Sequence, residues 1–130
     1  MIVDTSFLIS FYNESDSNHE KAVQMIKEKE HLLLLPEYVI AETSTVLLYK
    51  QDLKTSKEFL KAVEETRTMK ILHVGSSDFH NILEIFKNQK NQLSFVDASI
   101  VYYATKMRLD ALCFDKNINK EIKRLDKEKF

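Results

Sequence analysis

Short apolar runs alternate along this chain with longer stretches of helical periodicity. Residues 1–3 (MIV) form an apolar run that stops at Asp4. A helix is expected from about Ser17, where Ser17-x-x-Glu20 has the form of a capping box. Residues 31–35 (HLLLL) read as a buried strand closed by Pro36, and residues 37–50 as a mostly apolar helix. Thr55-x-x-Glu58 repeats the capping-box form and predicts a helix from about 55 to 68. Residues 70–74 give a third strand, ended by Gly75. Phe79, Ile82, Leu83 and Phe86 then fall at i, i+3, i+4 and i+7, one face of a helix. A further helix is expected from Ser94 to about 107, a fourth strand over 111–114, and a short basic helix at the end. Strands separated by helices predict one α/β domain over residues 1–130. Its parallel central sheet would have about four to five strands, with helices on both faces.

Composition narrows the chemistry. With 130 residues, 44% hydrophobic and 30% charged, the chain is large enough for one real core. The start, MIVDT, lacks the basic and apolar regions of a signal peptide. No apolar run approaches the roughly 20 residues of a membrane span. The single cysteine, Cys113, suits a reducing cytoplasm, which is the expected location. One glycine, Gly75, is too few for a P-loop or a dinucleotide fingerprint. Phosphate chemistry here must use side chains or metal ions.

A net charge of −1 advertises no nucleic-acid partner, but the basic residues are clustered. Lys54, Lys57 and Lys61 share a helix face. Lys116, Lys120, Lys123, Arg124, Lys127 and Lys129 crowd the end, among Glu121, Asp126 and Glu128. Each patch is open to two readings, a phosphate contact or a solvated surface.

The acidic residues carry more. Asp4 and Asp115 each follow an expected buried strand, at the edge where open α/β sheets gather their ligands. Asp97 lies in line with Ile100, Val101 and Ala104, and Glu42 with Val39, Val46 and Tyr49. A carboxylate in an apolar stripe is costly unless something pairs with it. Local roles exist as well: Ser94-x-x-Asp97 is a capping box, and Glu42 can favour its helix dipole. Two strand ends and two early helix positions can nevertheless converge on one edge. Carboxylates about 5 Å apart repel by about 3 kcal/mol per pair at an effective dielectric of about 20. Such a cluster calls for protons or a cation, and oxygen ligands alone point to Mg²⁺ or Mn²⁺. His19, His31, His73 and His80 show no i, i+4 pairing that would suggest zinc.

In order and spacing, four segments resemble the PIN domain nucleases, and especially the VapC-like toxins of type II toxin–antitoxin modules. They are Ile2-Val3-Asp4-Thr5-Ser6, Val39-Ile40-Ala41-Glu42, Leu93-Ser94-Phe95-Val96-Asp97-Ala98 and Leu112-Cys113-Phe114-Asp115. The resemblance spans essentially the whole chain. It implies that Asp4, Glu42, Asp97 and Asp115 are catalytic and hold one or two metal ions. Thr5 or Ser6 would support Asp4 through a hydroxyl, unless they serve only as a cap, and Ser94 would cap the helix of Asp97. Two features depart from the family pattern. No phenylalanine follows Asp115 shortly, and Cys113 stands where a small hydroxyl residue is expected. Asp110 therefore competes with Asp115 as the fourth carboxylate, and Asn117 or Asn119 is open as a neutral ligand or as a turn residue.

The implied activity is hydrolysis of RNA phosphodiesters to 5′-phosphate and 3′-hydroxyl ends. The implied partners are the RNA, a small antitoxin that covers the acidic groove, and a second copy in a homodimer. The alternatives are a free-standing RNA-processing PIN nuclease, a PIN-like module that binds RNA or protein without cutting, and a phosphoacceptor domain. The last wants adjacent acids after the first strand, where this chain has Asp4-Thr5.

Overall fold

The structure is a computed structural model and describes residues 1–28 and 32–128. Its strands are β1 (Ile2–Val3), β2 (Leu33–Pro36), β3 (Met69–Leu72) and β4 (Ala111–Leu112). Its helices are α1 (Thr5–Tyr12), α2 (His19–Glu28), α3 (Glu37–Lys50), α4 (Leu53–Glu65), α5 (Ser76–Asn88), α6 (Phe95–Met107) and α7 (Lys116–Glu128). The four strands form one sheet in the order β3-β2-β1-β4, and every pairing is parallel. The α/β expectation holds, with four strands.

Topology explains where a site can form. The chain steps outward from β1 to β2 to β3, then returns across the sheet to β4. Right-handed crossovers place α1–α4 on one face and α5 and α6 on the other. Helix α7 packs against α6. The direction of winding reverses between β1 and β4, so their carboxyl ends flank the switch point at which open α/β sheets bind ligands. Ile2 pairs with Ala111 and Val3 with Leu112, and the Asp4 backbone N–H donates to the Leu112 carbonyl at 3.0 Å. Asp4 is thereby anchored to the end of the neighbouring strand.

The core gathers around these central strands. Ile2, Val3, Phe7, Leu35, Val39, Leu47, Phe59, Ile82, Ile100, Val101 and Ile118 are all at most 1% exposed. Burying an aliphatic or aromatic side chain of this kind contributes roughly 1.5–3 kcal/mol. Helix α6 is nearly all core, from Ala98 through Ala104, which fixes Asp97 on a rigid element.

Several local expectations are corrected. Helix α1 was not anticipated, because Thr5–Tyr12 carries no charged residue and so shows no polar face. Asp4 is its N-cap. Helix α4 starts at Leu53, where Asp52 caps it by accepting from the Thr55 N–H at 2.6 Å. Thr55 is therefore inside the helix, and the helix ends at Glu65 rather than Thr68. Helix α2 starts at His19, and the turn before it is held by Asp16, which accepts from the Asn18 N–H and the Ser10 hydroxyl. Strands β3 and β4 are shorter than expected, and α7 is as long as α4. In α5 only Ile82 is buried, while Phe79 and Phe86 are 43% and 39% exposed. The expected strand start at His31 lies outside the described residues.

Candidate metal centre

Three of the four expected carboxylates gather at the carboxyl edge of β1 and β4, each at the start of a helix. Asp4 caps α1, Asp97 is the third residue of α6, and Asp115 immediately precedes α7. Helix starts present free N–H groups and a positive dipole end, so they hold carboxylates without a basic partner.

Each of the three has one oxygen anchored by the chain and one left over. Asp4 Oδ2 accepts from the Ser6 backbone N–H at 3.2 Å and from the Ser6 hydroxyl at 2.5 Å. Asp97 Oδ2 accepts from the Ser94 N–H at 3.2 Å, while the Ser94 hydroxyl accepts from the Asp97 N–H at 3.0 Å. Asp115 Oδ1 accepts from the Asn117 N–H at 2.8 Å. Asp4 Oδ1 is buried with no hydrogen-bond partner. A buried acceptor without a partner costs roughly 1–3 kcal/mol.

Electrostatics ties the three together. Asp4 is 2% exposed, and burial pushes its carboxyl up to about 6, with the charge of Asp97 adding to the rise against the bonds from Ser6. Asp97 is also raised, first by burial and further by the charge of Asp115, against the Ser94 bonds. Burial and the three acids push the Cys113 thiol up to about 11, Asp4 contributing most among them. Cys113 is therefore a neutral thiol at pH 7 and no nucleophile.

The other expected residues fall as follows. Ser6 does more than support Asp4, since its hydroxyl also accepts from the Phe114 N–H at 3.4 Å and so ties α1 to the segment after β4. The Thr5 hydroxyl is buried without a partner. Glu42 is half-buried on α3, in a shallow groove of about 360 Å³ that it shares with Tyr38, Thr45, Val46 and Val96, the last being the neighbour of Asp97. Asp110 is exposed at the opposite end of β4, where its carbonyl accepts from the Ile2 N–H. Asn117 serves Asp115 through its backbone, and the Asn119 side chain reaches the Cys113 sulfur at 3.7 Å. His73 pairs with Glu37, and the His19 ring meets the Ser10 carbonyl.

Among the described residues, no three His, Cys, Asp or Glu side chains close on a point near enough to hold one ion. The donor set still suits a hard divalent cation. It offers carboxylate oxygens only, with the orphaned Asp4 Oδ1 buried at its centre. A cation there would satisfy Asp4 and offset the burial, and the lesser repulsion from Asp97, that raise its pKa.

Sequence reasoning missed one buried acid, Glu121 on α7, which is fully buried beside Arg124. The signal was present. Ile118, Glu121, Ile122 and Leu125 fall at i, i+3, i+4 and i+7, which puts Glu121 inside an apolar stripe.

The fold has solved counterparts. VapC20 from Mycobacterium tuberculosis, described as a sarcin-ricin loop cleaving toxin, superposes with a TM-score of 0.85 at 23% identity, over 92% of each chain. FitAcB from Neisseria gonorrhoeae gives 0.68 at 14% identity, over 94% of this chain and 92% of the other. A toxin–antitoxin complex from Klebsiella pneumoniae gives 0.64 at 16% identity, over 88% of this chain and 85% of its match. No curated protein sequence matches the chain. The model of the PIN domain matches residues 1–126. With a parallel sheet wound about a β1/β4 switch point and carboxylates at its carboxyl edge, the chain belongs to the PIN domain family.

Proposed function

We propose that the chain is a Mg²⁺- or Mn²⁺-dependent ribonuclease and the toxin of a toxin–antitoxin pair. The observation that carries this reading is Asp4, a buried carboxylate with one oxygen fixed by Ser6, the other unpartnered, and Asp97 close enough to raise its pKa. A stability role alone leaves that second oxygen unexplained.

In this reading Asp4, Asp97 and Asp115 hold the metal, and Glu42 contributes from the α3 side. When bound, the ion lowers the pKa of water and neutralises phosphate charge. The chain's own residues orient the ligands. Ser6 and Ser94 pin one oxygen of Asp4 and Asp97, so the remaining oxygens point with little freedom. Asn117 does the same for Asp115 through its N–H. Asp115 is preferred to Asp110 because it stands at the same end of the sheet as Asp4. Both RNA and an antitoxin then compete for the acidic groove, the antitoxin through a basic side chain.

We also propose a homodimer, through a different surface. Phe95 at the start of α6 meets Tyr38, Phe79 and Phe86, with ring centroids 5.7–5.9 Å apart. Phe79 and Phe86 are more than a third exposed, and Tyr38 links the cluster to the groove of Glu42. A second copy covering them would bury their exposed faces.

The deciding experiment is cleavage of total RNA by purified protein in Mg²⁺, in Mn²⁺ and in EDTA, with Asp97→Asn alongside. Metal-dependent cleavage that the variant loses, at an unchanged circular dichroism spectrum, is expected. Full activity in Asp97→Asn would overturn the assignment. Metal-dependent RNA binding without cleavage would favour the non-cutting module.

A further inference from the structure

Glu121 is 0% exposed, although an apolar side chain would continue the stripe of Ile118, Ile122 and Leu125. Replacing a buried ion pair by packed apolar residues is often neutral or stabilising, so stability gives little reason for a carboxylate here. Its partners suggest another. Glu121 Oε1 accepts from Arg124 Nε at 2.9 Å and also from Nη2. Its Oε2 accepts from Asn91 Nδ2 at 2.5 Å and faces the Lys90 N–H at 3.5 Å. Arg124 in turn donates to the Asn88 carbonyl at 3.3 Å and to Glu128 at 2.5 Å. Helix α7 thus grips residues 88–91 from two side chains.

That segment leads directly into the cap of α6. Gln89 donates to the Leu93 carbonyl at 2.8 Å and accepts from the Leu93 N–H. Gln92 sits at φ 53°, a left-handed conformation that a non-glycine residue keeps only when its surroundings hold it. Ser94 follows and fixes Asp97. The same α7 begins immediately after Asp115. One helix therefore follows directly on Asp115 and, six residues beyond it, clamps the loop that sets Asp97.

We propose that Glu121 is a positioning residue which, through Arg124 and Asn91, fixes Asp97 relative to Asp115 for metal binding. This rests on the metal-site reading above. Outer residues that orient metal ligands typically account for about 10–100-fold in metal affinity.

The test is Mn²⁺ titration of the purified metal-free protein by calorimetry, with Glu121→Gln and Asn91→Ala. Asn91→Ala removes the arm to the loop and leaves the Glu121–Arg124 pair, so it carries the test even if Glu121→Gln fails to fold. Val63→Ala, on the buried side of α4 and on the opposite face of the sheet, is the control for general destabilisation. We expect both site variants to weaken Mn²⁺ binding by about 10-fold or more. Without metal, they should also exchange the Ser94 and Asp97 amide protons faster, while Val63→Ala leaves the Mn²⁺ midpoint unchanged. Folded Asn91→Ala protein with the wild-type midpoint overturns the inference, as does equal weakening in Val63→Ala. Wild-type Mn²⁺ binding that Asp97→Asn does not disturb marks the other failure: the metal site itself is then wrong, and the role of Glu121 falls with it.

Discussion

Replacing Asp4 by Asn should make the metal-free protein more stable while abolishing cleavage. A carboxyl raised from 3.8 to about 6 is ionised at pH 7 at a cost on the order of 3 kcal/mol, at about 1.4 kcal/mol per pKa unit. Asn carries no charge, caps a helix as well as Asp, and keeps an oxygen for Ser6. Its amide would replace the orphaned Oδ1 and stay unpaired, which offsets roughly 1–2 kcal/mol of the gain. A net stabilisation of about 1–2 kcal/mol remains, or about 4–7 °C in Tm for a chain of this length. The sign depends on pH. Between 3.8 and about 6 the folded state binds more protons at Asp4 than the unfolded state does, so wild-type stability falls as pH rises through that window and is flat above it. The advantage of Asp4→Asn should therefore be full at pH 7 and gone below pH 4. Added Mn²⁺ should raise the Tm of the wild type but not of the variant. Thermal unfolding in EDTA at pH 7 and pH 4 measures all of this. A variant that is less stable than wild type at pH 7, with a difference independent of pH, would refute the account of Asp4 as a strained, cation-seeking carboxylate.

Other consequences can be measured separately. Mn²⁺ affinity should rise with pH through about 6 as Asp4 loses its proton, and a flat calorimetric profile from pH 5 to 7.5 would count against Asp4 as a ligand. Asp78 accepts from Tyr102 at 2.7 Å, Gly75 at 3.1 Å and Lys106 at 3.2 Å, which holds its carboxyl down at about 2. Asp78→Asn should thus be less stable than wild type at pH 7, with the gap shrinking as pH falls from about 4 toward 2 in urea titrations. Charging the exposed aromatic face by Phe79→Asp with Phe86→Asp should shift sedimentation from dimer to monomer, and unchanged mass would rule that face out. Truncating Phe59, a fully buried ring on α4, to Ala should cost about 3–5 kcal/mol in chemical denaturation without altering Mn²⁺ affinity.

The acidic site was partly legible in sequence because its two strand-end members follow short apolar runs. Asp4 follows Ile2-Val3 and Asp115 follows Leu112-Cys113-Phe114, so both could be placed on the carboxyl edge before any pairing was known. What the sequence could not supply was the strand order. The β3-β2-β1-β4 arrangement makes β1 and β4 neighbours although more than 100 residues separate them, and no local pattern encodes that. Helix α1 escaped for the opposite reason: buried on most sides, Thr5–Tyr12 offers no polar face to mark its period. At Thr55 the pattern was real but misplaced by one turn, since Asp52 supplies a stronger cap three residues earlier.

Burial was the least readable property, because periodicity tells which residues share a face and not what covers it. Phe79 and Phe86 keep perfect helical spacing with Ile82 and still stand partly in solvent. Glu121 shows the converse, a carboxylate at an apolar position of α7 that is wholly enclosed. Both exceptions adjoin the acidic edge: the phenylalanines surround Phe95, two residues before Asp97, and Glu121 holds the loop before Ser94. Local rules of burial are broken where something other than stability sets the residue. The start of α6 is where both departures meet, which makes Asp97, rather than the more deeply buried Asp4, the proposed ligand whose placement depends most on the surrounding packing.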